Sequence, residues 1–364
     1  MEYRAIGLMS GSSLDGLDIV YARLQEIAGK WSYEILKSDC IEYDQDWKSK
    51  LKNAVHLTAL DYQLLHTSYG HFLGREVNRF IEKNDLFHKV ALIASHGHTT
   101  FHEPKLNMTA QLGDGAAIAA VTGLAVISDL RAMDVAFGGQ GAPIVPLGEK
   151  LLFKEHSMFL NIGGIANISL HINNEIIAFD VCPANSILNP LAQRRGFEYD
   201  EDGRLASVGV PDHQLLSELN SLEYYENPYP KSLSNNYGSE KIIPILERYD
   251  LCVEDLLCTY CEHIAQQAVS AVLPLIHNDM NTEIQMLITG GGAFNKFLIN
   301  RLDESMKKHN ISITIPDAEV IQYKEALIMA LLGVLRWREE NTVLASVTGA
   351  KMDSIGGALW LGTH

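Results

Sequence analysis

Residues 7–24, GLMSGSSLDGLDIVYARL, set glycines, serines and aspartates between two apolar runs. Gly11 and Gly16 let the backbone turn tightly and approach a ligand closely. Ser12 and Ser13 offer hydroxyl and N–H donors. Asp15 and Asp18 offer carboxylate oxygens suited to a hydrated magnesium ion. Such a stretch can wrap a phosphate, or it can be a serine-rich hairpin held by Asx-type hydrogen bonds. It is not a Walker A loop: the chain contains no GxxxxGK[ST], and the segment leads into a predicted strand instead of a helix.

Two further glycine clusters supply context. NIGGIANIS (161–169) carries Gly163 and Gly164 at the corresponding place in the second half of the chain. ITGGGAFN (288–295) ends a predicted strand and opens a helix, and Gly290, Gly291 and Gly292 would let the backbone lie against a flat adenine–ribose group. Each cluster alone is a weak signal. Together, at strand ends, they point to a nucleotide cleft in which the first two turns grip the β- and γ-phosphates from opposite sides.

The elements that must position these turns follow a repeated order. Strands are expected at roughly 3–9, 17–26 and 31–43, then helical spacing over 46–84, the buried strand KVALIASHG ending in a polar loop, the helix DGAAIAAVTG and the strand LAVISD. The second half has strands in SMFLNIGG, ANISLHI and EIIAFD, with turns at Gly163–Gly164 and Asn173–Asn174. Helices NSILNPLAQRRG and 254–277, strand EIQMLITGG, helix FNKFLINRLDESMKKH, strand ISITIP and a last helix over 323–339 complete it. Both halves run βββ–α–β–α–β–α, although their residues hardly match. The expected class is α/β: two similar domains with mixed sheets flanked by helices and one active site in the interdomain cleft. The boundary is placed near GGQGAPIVP (138–146), giving 1–140 plus 343–364 as the N-terminal domain and 141–342 as the C-terminal domain.

Composition narrows the function classes. The chain has 364 residues, 47% of them hydrophobic, and a formal net charge of −16. That balance argues against non-specific binding to nucleic acid or anionic membrane, which needs basic patches. The start, MEYRAIGLM, lacks the apolar run of a signal peptide, and the most apolar segment, AAIAAVTGLAVI, is too short to span a bilayer. Five cysteines in a chain of this size suggest a reduced, cytoplasmic protein. CTYC (258–261) is a lone CxxC inside a helical pattern, without the four ligands that structural zinc wants, and reads as two buried helical thiols.

The order of elements resembles the actin- and hexokinase-like sugar kinase superfamily. The residues are more specific. GLMSGSSLDGLD, SHGHTTFH, QLGDG, DLRAMDVAFGGQGAPIVP, NIGGIANIS, KSLSNNYG, ITGGGAFN, KEALIMALLG and VTGAKMDSIGGALW resemble the motifs of anhydro-N-acetylmuramic acid kinases, in order, from residue 6 to about 360. The resemblance implies actin/ribonuclease-H-like domains and a reaction of 1,6-anhydro-N-acetylmuramic acid, ATP and water that gives N-acetylmuramic acid 6-phosphate and ADP in peptidoglycan recycling. Water opens the anhydro ring, and the freed 6-oxygen attacks the γ-phosphate. The family's ATP loop falls on Gly11, Ser12, Ser13, Leu14, Asp15, Gly16, Leu17 and Asp18, with Asp15 expected in the magnesium shell and Asp18 in that shell or tying the turn together. Its catalytic aspartate falls on Asp180, and Arg131 and Glu325 match positions lining the sugar site. A homodimer is the assembly it implies.

The residues themselves speak to some of these roles. Asp180 ends the apolar strand EIIAF, so its carboxylate is expected to point into the cleft as a general base; the other reading is a cap for NSILN, a role Asn185 fills more naturally. Arg131 can bind a carboxylate or phosphate, or form a salt bridge to Asp129 or Asp134. Glu325, expected in the first turn of the last helix, can equally serve the helix dipole. His96 and His98, around Gly97, can bind sugar hydroxyls or stand behind groups that do. Asp114 can orient the sugar or cap the helix at Ala116. Two departures stand out: Asp180-Val181-Cys182-Pro183-Ala184-Asn185 replaces the family's usual Asp-Thr-Gly-Pro-Gly-Asn, and His98 replaces the glutamine of SHGQT. They keep open a kinase for another amino or anhydro sugar, and beyond it a nucleotide-binding regulator without catalysis.

Overall fold

The computed structural model describes the chain apart from residues 12, 13, 173, 174, 230, 235, 277–283 and 364. The expected Asn173–Asn174 turn therefore lies outside the described residues. The chain divides into two compact units, Met1–Lys154 with Tyr323–His364, and Glu155–Gln322.

The first unit opens on three antiparallel strands, β1 (Glu2–Ser10), β2 (Gly16–Ile27) and β3 (Lys30–Glu42). β4 (Leu92–Glu103) then lies parallel to β1, β5 (Met108–Leu112) forms a hairpin with β4, and β6 (Val126–Ser128) lies parallel to β4. The sheet order is β3–β2–β1–β4–β6. Alternate residues Ile6, Leu8, Leu17, Ile19 and Tyr21 point to one face and form a core with Leu65, Tyr69, Leu73, Val77 and Phe80 of the helix Ala59–Lys83. Those five helical positions, three or four apart, make the apolar stripe that the strands require. The helical stretch expected over 46–84 is broken in two, because Thr58 caps the second helix by accepting from the Asp61 N–H.

The second unit repeats the plan. β7 (Met158–Ile162), β8 (Ile165–Ile172) and β9 (Glu175–Pro183) are successive and antiparallel, and β10 (Ile284–Thr289) and β11 (Ile311–Thr314) follow in parallel on the other side of β7. The order is β9–β8–β7–β10–β11, the counterpart of β3–β2–β1–β4–β6. β12 (Ala358–Trp360) returns to extend the first sheet beside β6. Both units are thus mixed α/β sheets of the ribonuclease-H-like order. Cys258 and Cys261 are buried in the helix Val253–Val272.

The unit boundaries differ from the expected 140/141 and 342/343. The helix Val145–Leu152 belongs to the first unit: a Cβ on its Gly148 would meet Ile328 at 2.5 Å, and its Glu149 pairs with Lys324 at 2.7 Å, both side chains 4% exposed. The chain re-enters that unit at Tyr323, inside the helix Ala318–Trp337. This helix lies directly on the sheet, since a Cβ at Gly7 would stand 1.9 Å from the Ala326 carbonyl oxygen. Packing this close sets the boundary, and it puts Glu325 in the first unit instead of the expected C-terminal domain.

Candidate active site

In the first loop, Ser12 and Ser13 lie outside the described residues. Leu14 takes a positive φ of 59° and its N–H faces the Gly11 carbonyl at 3.5 Å. The Asp15 carbonyl accepts from Tyr43 N–H at 3.3 Å, which ties the loop to the end of β3. Gly16 is demanded by the fold, because a Cβ there would meet the Ile41 oxygen at 2.7 Å and Cys40 Sγ at 2.8 Å. Leu17 is 1% exposed and its side chain packs in the core, which leaves only its backbone for a nucleotide. Asp15 is exposed and Asp18 half-buried. Burial pushes Asp18 up to about 6, against a hydrogen bond from Cys40, with the negative charges of Glu325 and Asp15 raising it further.

β4 does not end in a loop at His96. It runs on to Glu103 and pairs antiparallel with β5, from His98 opposite Leu112 to Glu103 opposite Met108. Leu8 pairs with Ser95 but Ser10 with His98, so β4 carries an extra residue, and Gly97 takes φ +72° beside the Leu112 carbonyl. At this bulge His96 Nδ1 lies 2.8 Å from the Gly97 oxygen, and its Nε2 accepts from Arg131 Nε at 2.9 Å. Burial, then the Arg131 charge, lowers His96 to about 3, so the ring is neutral and both nitrogens are occupied. Arg131 Nη1 also donates to the Gly141 oxygen at 2.6 Å. Burial lowers this guanidinium to about 10, and Glu325 and Asp134 oppose the shift. Neither alternative ion pair forms: Asp129 accepts from Ser128, and Asp134 accepts from the Gly141 N–H and the Thr348 hydroxyl. Asp114 caps its helix through the Ala116 N–H.

Glu325 is not in a first turn. The helix begins at Ala318, so the dipole account of Glu325 fails. Burial raises its carboxyl above the usual range, while Lys324 and Arg131 hold it down and Glu149 pushes it up. Asp15, Asp18, Arg131 and Glu325 thus form a charged group at the carboxyl ends of the first unit's strands. Hard oxygen donors in Asp15 and Asp18, close enough that the Asp15 charge raises Asp18, fit a magnesium ion whose remaining shell is water and phosphate.

The second unit builds its end of the sheet from backbone. The Gly164 carbonyl accepts from Ala184 and Ser186 N–H and from Ser186 Oγ, and the Gly163 carbonyl accepts from Asn185 N–H. The N–H groups of Gly163 and Gly164 donate to no acceptor among the described residues. Nothing but ordinary contact stands where a Cβ would be at Gly163, Gly164 or Gly291. Gly290 and Gly292, by contrast, press on Asn161 and Ile162 and are required by packing. Asn185 is not the cap. It occupies the first helical position after Ala184 and donates to the Ile162 oxygen at 3.2 Å.

Asp180 lies inside β9, which continues to Pro183. Ala166 pairs with Cys182 and Asn167 with Asp180, leaving Val181 as the extra residue of a bulge. Such bulges re-aim a side chain at the cost of one ladder position. Asp180 Oδ2 accepts from Leu233 N–H at 2.8 Å, its N–H donates to the Lys231 carbonyl, and its carbonyl accepts from Tyr224 OH at 2.7 Å. Burial raises the carboxyl, and the Leu233 bond opposes that shift. Leu233 and Tyr224 as partners were not legible from periodicity; only the quoted KSLSNNYG motif hinted at that segment.

The sequence profile of the family described as anhydro-N-acetylmuramic acid kinase matches residues 3–362. A relative of that name from Haemophilus influenzae is 32% identical, over 98% of this chain and 97% of its own length. Another from Bacillus cereus is 31% identical over 96% and 97%, and one from Sulfurimonas denitrificans 30% identical over 98% of both. Among the described residues no helix is long and apolar enough to cross a membrane. The chain belongs to the anhydro-N-acetylmuramic acid kinase family and is a phosphotransferase.

Proposed function

We propose that the chain converts 1,6-anhydro-N-acetylmuramic acid, ATP and water to N-acetylmuramic acid 6-phosphate and ADP, in the cytoplasm, as a step of peptidoglycan recycling. The observation that carries this reading is Asp180. It is a half-buried carboxylate aimed by a bulge, with one oxygen held by a backbone N–H and the other left for a proton. Its role is to take a proton from the water that opens the anhydro ring; the freed 6-oxygen then attacks the γ-phosphorus, and the bond to the β-phosphate oxygen breaks. Phosphoryl transfer asks mainly for alignment and charge neutralisation. The N–H groups of Gly163 and Gly164, unbonded among the described residues, suit phosphate oxygens, and Arg131, held by His96 and Gly141, suits the sugar's carboxylate. His96 acts through Arg131, while Gly97 and Glu325 are assigned to the sugar. Asp15 and Asp18 would hold Mg²⁺, which when bound neutralises phosphate charge.

A kinase for another sugar would draw on the departures after Asp180. Those departures point inward: Val181, Cys182 and Ala184 are 2%, 0% and 0% exposed and all lie in the second unit's core. They change packing behind the bulge, not the groups offered to a ligand, which supports the family's substrate. The test is ADP release with a panel of sugars. Release stimulated by 1,6-anhydro-N-acetylmuramic acid and far less by N-acetylmuramic acid or N-acetylglucosamine is expected; the reverse ranking would reject the assignment.

A further inference from the structure

The two histidines at the β4 bulge are used in opposite ways. His96 has both ring nitrogens engaged by the protein. His98 has one: Nδ1 lies 3.3 Å from Ser10 Oγ. Its Nε2 has no hydrogen bond to a described residue, although the residue is only 6% exposed. Among the described residues that nitrogen is left available to a ligand.

The proton on His98 can be located. Tyr43 OH donates to Ser10 Oγ at 2.8 Å and lies 2.5 Å from Tyr69 OH. Tyr43 has a single hydroxyl proton and gives it to Ser10, so Tyr69 is the donor to Tyr43. Ser10 also has one proton, and His98 Nδ1 is the acceptor it reaches. Were Nδ1 to carry hydrogen, the buried Ser10 hydroxyl would have to turn its proton back toward the tyrosine pair that already supplies it with one. The chain Tyr69–Tyr43–Ser10–His98 therefore runs one way and leaves the hydrogen on Nε2.

We infer that His98 is a sugar-binding donor, its Nε2–H offered to an uncharged oxygen of the acceptor sugar, with Ser10 and Tyr43 as positioning residues that fix its tautomer. The inference rests on the sugar-kinase reading for the ligand, but not for the tautomer. His98 sits one strand over from the first loop: Ser10, its register partner, adjoins Gly11, and Met9 pairs with Asp18. Burial keeps the imidazole below its ordinary range and so neutral. A neutral N–H suits a hydroxyl, ether or acetamido oxygen, whereas a carboxylate is better met by the neighbouring guanidinium.

The tautomer is read by nitrogen NMR of the full chain with ¹⁵N-labelled histidine and no substrate. The expected result is hydrogen on Nε2 of His98 in the wild type and a redistribution in Ser10→Ala; hydrogen on Nδ1 in the wild type would overturn the inference. In steady-state assays His98→Ala raises the KM for 1,6-anhydro-N-acetylmuramic acid by about tenfold, the scale of one hydrogen bond, with the KM for ATP unchanged. His98→Gln, which keeps an N–H donor, returns it to within about threefold on the same scale. An unchanged sugar KM in His98→Ala, or a rise in the KM for ATP alone, would reject the role. Should the alanine variant not fold, His98→Gln and the wild-type tautomer still decide. Because the tautomer is measured without sugar, a wrong substrate assignment and a wrong proton assignment give different results.

Discussion

The two units share one sheet order but furnish the carboxyl ends of their strands with different chemistry. The first gathers side chains there: Asp15, Asp18, Arg131, Glu325 and two histidines. The second offers a glycine turn whose N–H groups are unbonded among the described residues, and one carboxylate, Asp180. In both, the key residues sit at a bulge, at His96–Gly97 on β4 and at Val181 on β9. A repeated topology fixes where a site can form, and local irregularities decide what it contains.

The contrast breaks most sharply at Asp180. Asp180→Asn keeps the shape and the Leu233 bond but removes the base, and kcat is expected to fall by about 10²–10⁴-fold with ATP affinity unchanged, measured by turnover and calorimetry. Near-normal turnover would move the base elsewhere.

Next come the glycines, which the structure sorts by what surrounds them. Gly164→Ala meets its nearest neighbour at 4.0 Å, so thermal stability is expected to hold while the KM for ATP rises by about tenfold or more through lost close approach. Gly292→Ala meets Ile162 Cγ2 at 2.2 Å and is expected to lose about 1–3 kcal/mol of stability in denaturant titration. Equal effects of both substitutions would erase the distinction between ligand-facing and packing glycines.

A pH series probes the first unit. Asp18 keeps its proton to about pH 6 when folded, against 3.8 as its reference. Its contribution to stability is therefore full below the unfolded value and is lost as pH rises through about 6. Asp18→Asn removes that loss, so the variant's melting temperature relative to wild type is expected to climb between pH 4 and pH 7. A flat difference would place Asp18 in a more solvated setting. The smallest effect is expected at Val181→Thr, which restores the family's usual residue at a buried position: the sugar KM should change by less than about threefold, since an inward side chain offers little to a ligand.

Much of this was legible in the sequence. The βββ meanders and parallel crossovers follow from period-two apolar runs bounded by turns, and the glycine clusters fell at strand ends as expected. What escaped was set by tertiary contact. No local pattern says that helix 318–337 begins before Tyr323 or that Gly7 admits its backbone, so periodicity alone puts Glu325 in a first turn. The bulge at Val181 depends on register with β8, which made Asp180 look like a strand end. His96 and His98 are equivalent in sequence and differ only in which neighbours claim their nitrogens.

The central claim is that one water and one phosphoryl group enter the same product, and mass spectrometry after mixing the chain with Mg-ATP and 1,6-anhydro-N-acetylmuramic acid in ¹⁸O-enriched water tests it directly. The account predicts a sugar product heavier by one water and one HPO₃ unit, with one heavy oxygen incorporated from solvent. A product that gains phosphate without water, or no phosphorylated sugar at all, would contradict it.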